Sequence, residues 1–149
     1  MFKFSVDSES KYILRRLFNL PNPVRTAIHE AFVTWGKELV RSAENSALND
    51  PKFGEWYPTK ISRLHRASAA GQTPAYKTGK WNKSLGYVAS GSDLEFGNKA
   101  KYAGFLEEGT PKMEARTGLL NAITSTERNV RSYYDNSLRK NLLKWKLTI

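Results

Sequence analysis

The chain contains no cysteine and only two histidines in 149 residues, and these scarcities limit its chemistry. Without cysteine, a disulfide scaffold, a thiolate metal site and a cysteine nucleophile are all excluded. His29 and His65 lie 36 positions apart in the sequence, so they do not form a ligand pair at helical spacing. The sequence therefore predicts no metal site and no cofactor.

Long apolar stretches and a signal-type N-terminus are also missing. No apolar run approaches the roughly 20 residues that a membrane-spanning helix requires. The first ten residues, MFKFSVDSES, carry no cleavable signal pattern. We therefore expect one domain over residues 1–149 that stays in a cytosol-like compartment and does not contact membranes.

Acidic residues are scarce beside basic ones, with 14 against 24 and a formal charge of +10. The excess lies in residues 52–83 and 128–146, which contain Glu55 and Asp135 as their only acids. A field of this sign attracts nucleic-acid phosphates and equally an acidic protein surface. A solvated basic face without a dedicated ligand is the third interpretation that the pattern allows.

Recognisable catalytic motifs are absent as well. The glycines do not form a phosphate-binding loop, and neither a nucleophile elbow nor a metalloprotease helix is present. Glu107 and Glu108 are adjacent, so on a helix their side chains point about 100° apart and do not form a carboxylate pair. We expect one of them to pack locally and the other to be solvated. The sequence thus predicts no catalytic residues and a protein that is not an enzyme.

What the sequence does contain is a succession of periodic segments. The strongest is a 3.6-residue period over residues 24–47, including Phe32, which predicts a long amphipathic helix ended by Pro51. The other predicted elements are a strand at 2–7, a helix at 9–19, strands at 78–88 and 94–96 around a turn at Gly91, a helical turn at 102–106 stopped by Gly109, an extended piece at 111–116, and a helix at 119–145 with Thr117 as its N-cap.

Residues 51–77 have no clean period and are punctuated by glycine and proline. We interpret them as a long flexible loop or docking arm, either disordered or ordered by a partner. Aromatic residues mixed with lysine and arginine can also form a platform for single-stranded nucleic acid. The predicted fold class is α+β, with a small antiparallel sheet packed against two long helices and a long flexible loop.

Short motifs between residues 78 and 116 occur in a recognisable order. Residues 78–85, Thr-Gly-Lys-Trp-Asn-Lys-Ser-Leu, contain a Thr-Gly pair followed by a Ser-hydrophobic pair. Residues 102–110 contain Tyr-Ala and then Leu-Glu-Glu-Gly-Thr, and residues 112–116 lead into the last helix. The order and spacing of these segments resemble the tail-completion, or head–tail joining, proteins of the neck of long-tailed double-stranded DNA bacteriophages.

This sequence departs from the pattern of that family at two places. Lys80-Trp81 stands where the family usually has an aliphatic residue after the Thr-Gly pair. Thr117-Gly118 stands where the last helix usually opens with proline and an aromatic residue.

The resemblance implies a structural virion protein that forms a ring at the neck and joins the DNA-filled head to the tail. Its partners would be further copies of itself, six being favoured over twelve, with connector or head-completion proteins on one side and tail tube or terminator proteins on the other. Its location would be the virion, after assembly in the host cytoplasm. DNA passing through the channel is an alternative partner for the basic residues, and a basic nucleic-acid-binding module is the alternative function.

Residues that would contact partners come from the arm and from the resembled motifs. We expect this role for Arg63, Arg66, Lys77, Tyr102, Glu107, Gly109 and Thr110.

Overall fold

The computed structural model describes residues 22–59 and 63–146 of the chain. The predicted strand at 2–7 and the predicted helix at 9–19 lie outside these residues. In chain order the elements are α1 (Asn22–Asn49), β1 (Trp56–Pro58), β2 (Leu64–Arg66), α2 (Lys80–Lys83), β3 (Leu85–Ser90), β4 (Asp93–Asn98), α3 (Ala103–Glu108), α4 (Gly118–Thr126), a 3-10 turn (Glu127–Asn129) and α5 (Val130–Lys146).

Helix α1 is the element against which the others pack, and its prediction is confirmed. It contacts β3, β4, α4 and α5. It ends before Pro51, which has no N–H to continue the helical hydrogen bonds. Its buried side consists mostly of small residues that allow close approach of its neighbours: Pro23, Ala27, Ala31, Gly36, Leu39, Ala43 and Ala47.

The β3–β4 hairpin forms the second layer. Its register runs from Leu85 opposite Asn98 to Ser90 opposite Asp93. Gly91 follows β3 with φ +60°, a conformation that favours glycine, which confirms the predicted tight turn. Successive side chains of a strand alternate between the two faces of the sheet. One of these faces packs against α1.

The hydrophobic core lies between α1, this sheet face and α4. Helix and sheet come so close that a Cβ on Gly36 would overlap the Tyr87 ring. The core side chains are Leu39, Ala43, Ala47, Trp81, Leu94, Phe96, Leu119 and Ala122.

Part of the sequence interpretation of residues 51–77 is wrong. Instead of lacking regular structure, this segment contains the antiparallel hairpin β1–β2, with Tyr57 opposite His65. Its base is closed by hydrogen bonds from Gly54 N to Ala67 O (3.0 Å) and from Ala67 N to Glu55 O (2.9 Å). Each strand has three residues, and neither Trp-Tyr-Pro nor Leu-His-Arg alternates apolar with polar residues, so the sequence pattern did not reveal them.

The predicted strand from Thr78 also begins later than expected. Gly79 has φ +71° and precedes the single helical turn α2, so that β3 starts only at Leu85. The hydroxyl of Ser84 donates to the carbonyl of Lys80 (2.8 Å), which stabilises this turn. The alternation of Trp81 with its polar neighbours was therefore coincidental, and Trp81 packs in the core.

The predicted C-terminal helix is two helices, α4 and α5, separated by the 3-10 turn. The hydroxyl of Thr126 donates to the carbonyl of Ala122 (2.9 Å) and accepts from Trp35 Nε1 (2.9 Å). Such back-bonding by threonine bends helices, which accounts for the interruption here. Residues 111–116 are likewise not extended throughout, because Thr110 and Met113 form a bridge around a turn.

Helix α5 is fixed on α1 by polar contacts as well as by packing. The Glu30 carboxylate accepts from Asn141 Nδ2 (3.1 Å) and pairs with the Lys140 ammonium (3.4 Å). The resulting fold confirms the α+β class: two long helical units, α1 and α4–α5, pack with two small antiparallel two-stranded sheets.

Candidate partner-binding site

The β1–β2 hairpin presents two different faces. Trp56 lies opposite Arg66 and Pro58 opposite Leu64, which places these four side chains on one face, called here the outer face. The pair of Tyr57 and His65 lies on the other, called the inner face. The two faces differ in exposure and in the groups they offer.

The outer face is apolar and exposed. Trp56 is 60% exposed and Leu64 69%, and Phe53, just before the hairpin, is 63% exposed. The guanidinium carbon of Arg66 lies 5.6 Å from the ring centroids of both Phe53 and Trp56, and its Nε donates to the carbonyl of Gly54 (3.2 Å). Cation–π contacts of this kind hold an arginine in one orientation.

The inner face lines a groove of about 450 Å³ between the hairpin and the core. The Tyr57 and His65 rings meet edge to face with centroids 5.2 Å apart, and the Lys77 ammonium lies 4.7 Å from the Tyr57 centroid. Besides Tyr57 and His65, the aromatic and basic residues lining the groove are Tyr76, Lys77, Lys80, Trp81, Tyr102 and Arg116. None of the described lining residues is acidic.

A glutamine fastens the base of the hairpin to the rest of the chain. The side-chain oxygen of Gln72 accepts from Phe53 N (3.0 Å) and Ala69 N (2.8 Å), while its amide group donates to Pro51 O (3.0 Å). On the other side of the groove, Arg116 Nε donates to the carbonyl of Ser68 (3.0 Å). These hydrogen bonds fix the chain segments that form the walls of the groove.

Glu107, predicted to contact a partner, is buried and has a structural role. One oxygen of its carboxylate accepts from Leu119 N (2.7 Å) at the start of α4. Thr117, the predicted N-cap, makes no capping bond; its hydroxyl bonds to Gly71 O and Asn121 Oδ1 instead. Glu107 accepts from the Leu119 N–H of α4 although it lies outside that helix. A search for a capping residue directly before the helix start therefore could not find it. Glu108 is exposed, so the expectation of one packed and one solvated glutamate is confirmed.

Gly109 and Thr110 form the turn that follows α3. Gly109 has φ +79°, as the prediction of a glycine stop requires. Thr110 N donates to Met113 O (2.7 Å), and Arg116 N then donates to Leu106 O (2.6 Å). This turn brings the chain back beside α3 and sets the position of Arg116 at the groove.

The seven predicted contact residues therefore do not form one site. Lys77 and Tyr102 line the groove, Arg63 and Arg66 lie on the hairpin, and the remaining three belong to the capping and turn structure described above. Sequence reasoning missed Tyr57, Tyr76, Lys80 and Arg116 as groove residues. The first three lie in a basic aromatic stretch, whereas nothing in the sequence signals that Arg116 joins them.

Burial raises the pKa of the Glu107 carboxyl, although hydrogen bonds from the backbone at the start of α4 act in the opposite direction. A carboxyl whose pKa is higher in the folded chain stabilises it most at low pH, and that contribution is lost as the pH rises through the folded pKa. We expect Glu107→Gln, which keeps an acceptor oxygen without the charge, to gain stability relative to the natural chain between about pH 4 and neutral pH.

The measurement is urea unfolding of both chains across this pH range. The exposed neighbour supplies the control, since Glu108→Gln removes the same charge at a position that is not buried. A constant difference between Glu107→Gln and the natural chain at all pH values would contradict the burial argument.

The described residues contain no group of three or more histidines, cysteines or acids arranged to hold a metal ion. Within the same part of the chain, no helix combines the length and apolar character needed to cross a membrane.

Comparison of the chain with protein-family models, with curated proteins and with solved structures finds no match in any of the three.

Proposed function

We propose that this chain is a structural virion protein of the neck of a long-tailed bacteriophage, forming a ring that joins the DNA-filled head to the tail. The proposal starts from the ordered motifs at residues 78–85 and 102–116. Residues from both segments line the same groove, Trp81 from the first segment and Tyr102 and Arg116 from the second. The resembled motifs thus belong to one continuous part of the fold.

The observation that carries the proposal is a contact between the two positions at which the sequence departs from the family pattern. Trp81 is larger than the aliphatic residue usual there, and Gly118 is smaller than the usual aromatic residue. A Cβ on Gly118 would lie 2.9 Å from the Trp81 ring. The larger Trp81 ring, together with Pro74 Cδ at 2.7 Å from the same Cβ position, therefore occupies part of the space that an aromatic residue at position 118 would need.

This contact predicts a coupled pair of substitutions. Gly118→Phe alone should overpack the site and destabilise the chain by about 1–3 kcal/mol. The double variant Gly118→Phe, Trp81→Leu has an aliphatic residue at position 81 and an aromatic residue at position 118, as the family usually has. The double-mutant cycle should therefore show a favourable coupling free energy of about 0.5–3 kcal/mol between the two substitutions. Urea unfolding of the four chains measures it, and strict additivity would remove this support for the proposal.

The test of function is deletion of the gene from the phage genome, followed by negative-stain microscopy of the particles produced. We expect filled heads and finished tails that remain separate, and joining restored when the natural chain is supplied from a plasmid. Intact, infectious particles in its absence would overturn the proposal.

A role for the hairpin in joining predicts the effect of reversing its charge. The triple variant Arg63→Glu, Arg66→Glu, Lys77→Glu should still fold, because Arg63 and Lys77 are exposed, none of the three belongs to the core, and the cation–π contacts of Arg66 and Lys77 are worth only about 0.5–1 kcal/mol each. Joined particles should nevertheless decrease strongly. The matched control is Lys37→Glu, Lys83→Glu, Lys99→Glu, which makes the same change in net charge at exposed positions elsewhere.

The measurements are circular dichroism of the purified variants and counts of joined particles. A triple variant that is unfolded, or one that joins as well as its control, would contradict the separation of hairpin function from core stability.

One observation favours a second candidate, a basic nucleic-acid-binding module. Arg66 lies between two exposed aromatic rings, and such combinations bind single strands by stacking and charge. Binding of single-stranded or duplex DNA should then weaken steeply with salt. Fluorescence anisotropy decides this, because no detectable binding at low salt would remove the candidate.

A further inference from the structure

The groove beneath the inner face of the hairpin has an unbalanced charge. Lys77, Lys80 and Arg116 line it, and none of its described lining residues is a carboxylate that would neutralise them. The two lysines are exposed, while Arg116 is half-buried and uses its Nε to bind Ser68 O. No ion pair among the described residues involves any of the three. An occupant of this groove would therefore carry negative charge.

The aromatic residues of the groove show what else the occupant offers. Tyr76 and Tyr102 are 45% and 41% exposed, so each presents both an apolar ring and a hydroxyl. Tyrosine and arginine are enriched where proteins bind other proteins, because they combine large contact area with hydrogen bonding. The lining of the groove thus matches a segment that combines carboxylates with apolar side chains.

The same rings argue against a nucleic-acid strand in the groove. A base needs an open ring face on which to stack. The Lys77 ammonium lies over the Tyr57 ring, the His65 ring packs against it, and Trp81 is only 7% exposed. Three of the five aromatic rings that line the groove, those of Tyr57, His65 and Trp81, are therefore already engaged within the fold.

We propose that this groove binds an acidic segment of a neighbouring virion protein, with carboxylates paired to Lys77, Lys80 and Arg116 and apolar side chains against Tyr76 and Tyr102. This inference rests on the proposed function and adds the site and the chemistry of the contact. Arg116 is anchored before binding by the bond from its Nε to Ser68 O, and a guanidinium can still donate to a carboxylate from its terminal nitrogens.

The test is a phage genome that encodes Lys77→Glu, Lys80→Glu. Its matched control encodes Lys99→Glu, Lys101→Glu, a pair of exposed lysines that do not line the groove. Losing and reversing charged contacts at a protein interface is expected to lower the yield of joined particles at least about tenfold. The control should join like the natural phage. Revertants selected from the groove variant should carry acidic-to-basic substitutions in a neighbouring virion protein.

Further measurements keep the outcomes distinct. A second variant, Lys77→Ala, Lys80→Ala, together with thermal unfolding of both purified variants, separates loss of contact from loss of fold.

If gene deletion abolishes joining but both groove variants join normally, the groove inference fails while the proposed function stands. If gene deletion leaves joining intact, the proposed function itself fails. If the purified natural chain binds oligothymidylate at low salt and the groove variants lose that binding, the groove takes nucleic acid and the inference is overturned.

Discussion

Replacing Phe96 with alanine should remove about 3–5 kcal/mol from the free energy of unfolding, which is the range for truncating a buried phenylalanine. Phe96 is fully buried on β4 and packs in the core formed with α1 and α4. Small domains are stable by only about 5–15 kcal/mol, so the variant should lose a large share of its stability. Urea unfolding at room temperature measures the loss.

The control for this substitution lies on the same hairpin. Val88 is exposed on β3, and Val88→Ala should change stability by no more than about 0.5 kcal/mol. A loss below about 1 kcal/mol for Phe96→Ala would mean that the side chain is not packed as described. Phe32, which its helical period also assigns to the core, is only partly buried, so Phe32→Ala should cost less than Phe96→Ala.

Gly109→Val should also destabilise the chain severely, through the backbone rather than through a cavity. With φ +79°, a side chain at this position is strained by about 1–3 kcal/mol. A Cβ would also lie 2.8 Å from Met113 O and 2.9 Å from Ala115 N, and neither backbone atom can rotate away. The turn would have to shift, and with it the Arg116–Leu106 hydrogen bond.

A neighbouring glycine provides the comparison. Gly104 lies in α3, has no atom within 4 Å of its Cβ position, and has no positive φ. Gly104→Ala should therefore raise stability by about 0.5–1 kcal/mol, because alanine loses less entropy in a helix than glycine. Equal effects at both positions in a thermal unfolding experiment would contradict the assignment of strain to Gly109.

The elements predictable from the sequence are those whose period extends over several turns or alternations. Helix α1 satisfies this condition, and the turn glycines Gly91 and Gly109 were identified by their positions, whereas the positive φ of Gly71 and Gly79 was not predicted. The hairpin β1–β2 was missed because its strands have three residues each and neither alternates apolar with polar residues. The break after Thr126 coincides with back-bonding of the Thr126 hydroxyl to Ala122 O, and the apolar period, which continues across residues 119–145, carries no information about such a hydrogen bond.

The candidate site was predictable only in part for the same reason. The basic, aromatic character of the segment around Lys77 is visible in the sequence, whereas its division into an outer and an inner face follows from strand register. Glu107 illustrates the limit most clearly. Its charge and motif position suggested a surface contact, but the helix it caps begins 11 residues later in the chain. The path of the turn between Glu107 and the start of α4 decides whether this carboxylate faces solvent or the helix start.

The packing of α5 on α1 has a consequence for synthesis of the chain. About 80 residues separate the end of α1 from the start of α5. At the usual rates of translation, the part of α1 that packs on α5 leaves the ribosome roughly 4–16 seconds before the helix that covers it. During this interval α1 can pack on the β3–β4 sheet and on α4, but its contact surface for α5 stays exposed. We therefore expect chaperones that bind apolar surface to associate with ribosomes at this stage, and chains released before residue 130 to aggregate.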